Sequence, residues 1–182
     1  MALDKTFASG EILSAANVNG HLLGLWIPID KRVIASGSPV ASVSFASLDS
    51  NFRMFRLTYH VIPVGGLWLR FNNDSGSNYT QQSAGASNTT FSGNRLTPAI
   101  AVDLAIGWPG NPMQGQMTIS KISTAAHARA IGHLTIAPHA DLQAYILGVS
   151  WNNAASLINR IDLIGNGGNY YGVVSLEGMR GV

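Results

Sequence analysis

The sequence predicts an all-β protein, a jelly-roll-like β-sandwich preceded by a short N-terminal helical segment. Three observations lead there. Apolar residues alternate at period two in many short runs, turn residues separate those runs, and the one stretch of helical periodicity lies near the start of the chain. About nine such runs at a spacing of roughly 10–14 residues fit a sandwich better than βαβ units, which need helices between strands.

Taken in order, the first element is the helical one. Ser14 reads as an N-cap, and Val18 and Leu22 share one face of a helix of about three turns. Gly20 weakens it and Trp26-Ile27-Pro28 ends it. A helix this short is marginal alone in water and needs something to pack on. Residues 1–30 are therefore read as a docking or assembly segment, and residues 31–182 as the sandwich domain.

From Lys31 the pattern changes to period two. In Phe55-Arg56-Leu57-Thr58-Tyr59-His60-Val61 the apolar residues fall on one face and the polar ones on the other, the mark of a half-buried strand. Leu67, Leu69 and Phe71 alternate with Trp68 and Arg70 in the next run. Further strands are expected at residues 40–46, 99–106, 116–122, 128–136, 142–151, 157–164 and 170–179. Trp108-Pro109-Gly110-Asn111-Pro112 is a turn cluster, and Asn166-Gly167-Gly168-Asn169 reads as a hairpin loop. Residues 72–94 hold only Tyr79 and Phe91 as large apolar groups. They read as a long exposed loop or a weak hairpin, either solvated decoration or a binding element.

Composition narrows the function. Asp, Glu, Lys and Arg make up 11% of the 182 residues, against roughly 25% in a typical soluble domain. Ser, Thr, Asn and Gln fill the deficit, which suits a surface covered by neighbouring subunits or facing sugars and solvent in an assembled particle. Net charge is +2 with no cluster of Lys and Arg, so nucleic acid is not expected as a partner. Absence of cysteine removes disulfides, thiolate metal sites and thiol catalysis. The N-terminus carries Asp4 and no apolar core of a secretory signal. The uncharged stretch from Ile12 to Ile29 contains Ser14, Asn17, Asn19, His21 and Pro28, each costly in lipid, so no membrane insertion is expected.

Candidate chemistry is sparse. His127, His133 and His139 recur every six residues, but on one strand the first two would sit some 20 Å apart, too far for one zinc ion. No G-x-S-x-G elbow surrounds a serine. Asp49, Asp74, Asp103, Asp141 and Asp162 lie in separate segments, and nothing local marks an acid–base pair. The glycines at residues 165–168 lead into a strand, not into the helix N-terminus a phosphate loop requires. Asp74-Ser75-Gly76-Ser77-Asn78 lacks the acids and terminal Glu of a calcium loop. The expectation is a non-enzymatic protein with no catalytic residue, metal or cofactor.

Trp68, Arg70 and Asn72 form the surface constellation to watch. An exposed aromatic beside Arg and Asn can hold a glycan, and the same residue types are enriched at subunit interfaces. The subunit contact is the favoured reading here and the glycan site the alternative.

Thr6-Phe7-Ala8-Ser9-Gly10-Glu11-Ile12-Leu13-Ser14-Ala15-Ala16-Asn17-Val18-Asn19 resembles a motif near the N-terminus of tail and tail-fibre-type proteins of tailed bacteriophages. That motif runs from an aromatic through a Gly-containing turn and a Leu to Thr or Ser, Ala, a polar residue, Val and Asn. Phe7, Gly10, Leu13, Ser14, Ala16, Val18 and Asn19 match it. Ile158 to Leu163, the glycine hairpin and Tyr171 to Gly178 also look like the closing hairpin of phage β-sandwich domains. The resemblance implies a virion structural protein, tail or tail-fibre associated, commonly homotrimeric, that docks on other virion proteins. Phe7, Ile12, Leu13, Val18 and Leu22 would be buried in that docking. A capsid decoration protein and a glycan-binding module for the host surface are the alternatives.

Overall fold

The computed structural model describes residues 25–87, 90–104, 110–121, 126–137, 143–153 and 156–180. Within them lie twelve strands: β1 (Ile27–Ile34), β2 (Ser42–Phe45), β3 (Phe52–Pro63), β4 (Gly66–Phe71), β5 (Tyr79–Ser87), β6 (Thr90–Ala99), β7 (Val102–Asp103), β8 (Met113–Ser120), β9 (Ala128–Ile136), β10 (Gln143–Trp151), β11 (Ile161–Asn166) and β12 (Tyr170–Arg180). The helix expected after Ser14 falls outside the described residues. The described residues are all-β.

The strands form two antiparallel sheets. One has eight strands in the order β1-β12-β3-β8-β9-β10-β5-β6, the other four in the order β2-β11-β4-β7. From β1 to β4 the chain changes sheet at every step. It then adds the β5–β6 hairpin to the larger sheet, crosses to β7 and back to β8, adds β9 and β10, and finishes through β11 and β12. Eight strands are thus divided four and four between the sheets, while two antiparallel pairs widen one of them.

Period two explains the core. Phe55, Leu57, Tyr59 and Val61 of β3 are buried, as are Leu67, Leu69 and Phe71 of β4 and Ile161 and Leu163 of β11. Side chains from both sheets join one apolar cluster, so the fold is sandwich-like, and each fully buried large side chain adds about 1.5–3 kcal/mol. Tyr59 lies over Gly115, where a Cβ would stand 2.4 Å from the phenol oxygen. Its hydroxyl has no hydrogen-bond partner among the described residues, and burial pushes its pKa up. Gly172, in the middle of β12, has φ +131°, and a Cβ there would lie 2.2 Å from the His60 carbonyl oxygen, so only glycine fits.

Three expectations change, and an open alternative resolves. Residues 72–94, read as a loop or a weak hairpin, are a hairpin from Tyr79 on: they form β5 and the start of β6, and β5 is an interior strand whose register with β10 runs from Ser87↔Gln143 to Tyr79↔Trp151. The ladder is backbone, so Ser, Thr and Gln serve as well as Val. Gln81, 1% exposed, even bonds across the sheets: its Nε2 donates to the Asp103 carbonyl and its Oε1 accepts from the Asp103 amide, both at 2.8 Å. The strand expected at 99–106 is reduced to the two residues of β7, residues 105 and 106 lying outside the described set. Residues 157–160 precede β11 and are not strand. Finally, β1 begins at Ile27 and runs through the division at residues 30 and 31, with a register shift between Pro28 and Asp30.

Candidate functional site

The outer face of the four-stranded sheet carries two of the three residues singled out on β4. Trp68 and Arg70 project there half-buried, and the Arg70 guanidinium lies 5.5 Å from the Trp68 ring centre. Arg70 Nε donates to the Ile100 carbonyl at 3.2 Å. Opposite Arg70 in the ladder is Asp162, only 1% exposed. Its carboxylate accepts from Ser44 Oγ at 2.5 Å and from Arg160 Nε at 2.8 and 3.0 Å. This cluster ties β2 to β11 and occupies both carboxylate oxygens.

Asn72 does not join that face. It has φ +53°, and its side chain turns toward the segment before β11. Nδ2 donates to the Leu157 carbonyl at 2.8 Å and to Ser156 Oγ at 3.1 Å; Oδ1 accepts from the amides of Asn159 at 2.9 Å and Arg160 at 3.1 Å. All its hydrogen-bonding capacity toward a ligand is spent within the chain. Phe7, Ile12, Leu13, Val18 and Leu22 lie outside the described residues.

A second polar cluster, unmarked in the sequence, closes one end of the sandwich. Asp74 accepts from Trp151 Nε1 at 2.7 Å, from the Gly76 amide at 2.8 Å and from Asn78 Nδ2 at 2.9 and 3.2 Å. Lys121, 2% exposed, donates to the Asn153 carbonyl at 2.6 Å and sits 5.1 Å from the Trp151 ring centre. Burial lowers the Lys121 pKa. For Asp74, burial alone would raise the pKa, but hydrogen bonds from Trp151, Asn78, Gly76 and Asn153 together outweigh it and hold the carboxyl below its ordinary 3.8.

The sign of the linkage follows. A carboxyl with a depressed folded-state pKa stabilises the fold above its unfolded pKa, and that contribution fades as pH falls through the folded value. Stability should therefore drop on acidification below about pH 4. Asp74→Asn should be less stable at neutral pH and show a shallower acid limb, as read from denaturation midpoints across pH 2–7; an unchanged limb removes Asp74 from the account.

The outer face of the eight-stranded sheet is exposed across its middle strands. His60, Gln116, Arg129 and His133 share it with Ile131 and Ile146, each isoleucine 63% exposed. Its carboxylate on β12, Glu177, is paired to Arg56 at 2.5 Å. Among the described residues no three His, Cys, Asp or Glu side chains gather to hold a metal. The face offers neutral hydrogen-bonding groups, apolar contact and a few cations, a chemistry of binding. No protein-family model matches the chain, and no curated protein matches it.

Proposed function

We propose that this protein is a structural component of a tailed-bacteriophage virion, in the tail or tail-fibre region. It docks through its N-terminal segment and holds a jelly-roll-like sandwich outward. One observation carries the reading: β1, the strand that follows the segment, is an edge strand paired on one side, with β12. The segment is thus tethered to one margin of the sheet, while β5 and β6 form the opposite margin. Seven strand spacings of about 4.8 Å put these margins roughly 34 Å apart, so the docked side and the displayed side are separate.

Two further points support it. With the pairs β5–β6 and β9–β10 set aside, the strands fall in the orders β1-β12-β3-β8 and β2-β11-β4-β7, the arrangement that two Greek keys produce in a jelly roll. The low charge, 11% of residues, suits a chain surrounded by other subunits, and the resemblance to tail-fibre-type proteins implies a homotrimer.

Removing residues 1–24 tests the docking role. The cut stops short of Trp26, whose ring lies 4.6 Å from the Arg56 guanidinium. The truncated protein should melt cooperatively yet be missing from assembled particles by immunoblot. Incorporation equal to that of the full chain defeats the proposal.

A further inference from the structure

The strands β5, β6, β9 and β10, together with β3 and β8, build a groove. It opens on the outer face of the larger sheet, with a volume of about 590 Å³, within the size range of small-molecule sites. We propose that this groove binds an acidic oligosaccharide, its carboxylates held by Arg95 and Arg129.

The floor is Gly148 of β10. A Cβ there would meet nothing within 4 Å, so the groove is open because this one outward position has no side chain. Gly148 pairs with Ile131 on one side and with Gln82 on the other, and these side chains flank the gap. Arg95 projects from β6 beside Gln82. Arg129 projects from β9, where its Nη1 donates to Ser150 Oγ, and Ser150 in turn donates to Asn152 Oδ1 at 2.7 Å. Neither guanidinium has a carboxylate partner among the described residues.

Spacing selects the ligand. The backbones of β9 and β6 stand three strand spacings apart, about 14 Å, and Arg129 is held at Ser150 on the far side of Gly148, so the two arginines line opposite margins of the groove. They suit a chain of rings bearing carboxylates, each held by a charge-assisted and geometrically specific bond. Between them Thr80, Thr118, Ser120 and Gln82 supply donors and acceptors for ring hydroxyls, and exposed Ile131 offers apolar contact for a C–H face. A lone phosphate would use one cation and leave the rest of this lining idle.

The inference stands apart from the virion reading, because it concerns the purified full-length chain. Titration calorimetry with trigalacturonate and 3′-sialyllactose, against maltotriose and lactose, tests it. Trigalacturonate should bind tenfold or more tightly than maltotriose, and Arg95→Ala and Arg129→Ala should each weaken it about tenfold or more, whereas 3′-sialyllactose, with one carboxylate, should lose affinity in one of the two variants. Gly148→Phe should fill the groove and abolish binding while leaving the melting temperature near that of the parent. No binding of either acidic sugar overturns the proposal. So does equal affinity for the uncharged sugars, full affinity in Gly148→Phe, or equal competition by inorganic phosphate.

Discussion

Trp151→Ala should lower the stability of the protein by about 4 kcal/mol, the scale of emptying a large aromatic site in a core. Trp151 is fully buried at the end of β10, and its ring meets Phe71 edge-on at 5.7 Å between centres. Removing it opens a cavity, strips Asp74 of a 2.7 Å hydrogen bond and takes the aromatic face from beneath a nearly buried Lys121. The losses are coupled, because β10, the loop after β4 and the residue after β8 all meet at this one side chain. In a domain of this size the cost corresponds to roughly 8–16 °C in melting temperature. Trp151→Phe restores most of the volume without the N–H, and should recover more than half of the loss. A fall of less than about 1 kcal/mol for the alanine variant would mean that the end of the sandwich is held by other contacts.

Asn72→Ala should cost about 2–3 kcal/mol through a different cause, the loss of several hydrogen bonds together with a backbone conformation that alanine disfavours. Asn72 clips the end of β4 to the segment leading into β11 with four side-chain hydrogen bonds, and its own amide donates to the Arg160 carbonyl at 2.9 Å. Asn72→Gly separates the two contributions. It relieves the left-handed strain and leaves the bonds unmade, so it should fall between the parent and alanine, about 1 kcal/mol above the latter. Urea denaturation of the three proteins checks the order, and equal midpoints for all three would remove the clip.

These two residues also show how far the sequence could be read. Asn72 looked like part of a surface constellation because it follows Trp68 and Arg70; its true partners, Leu157 to Arg160, are remote in sequence and bear no mark of the contact. Asp74 and Trp151 are likewise joined only by the fold. The strands with apolar alternation were legible: β9 spans the expected residues 128–136, and β3 and β12 extend theirs by a few positions. β1 was not. Its exposure follows no period of two, since an edge strand with a register shift at Pro28 is held by backbone pairing on one side. β5 and β6 were legible only as a weak hairpin set beside a loop reading, for a related reason. Their Ser, Thr, Gln and Asn side chains give no apolar signal, although the backbone ladder to β10 is continuous. The groove was beyond reach altogether, because an outward glycine in a strand says nothing of the arginines one and two strands away.

The pairing of β1 with β12 sets a condition on biosynthesis. Ile27 finds its ladder partner at Gly178, and β3 likewise awaits β12 on one flank while β8 covers the other. While the ribosome is still at work, the hairpins of neighbouring strands can close early, but the sheet margin beside the N-terminal segment has nothing to pair with. That margin takes shape only when β12 emerges. Nascent chains that stop short of β12 therefore leave β1 without the strand it pairs with.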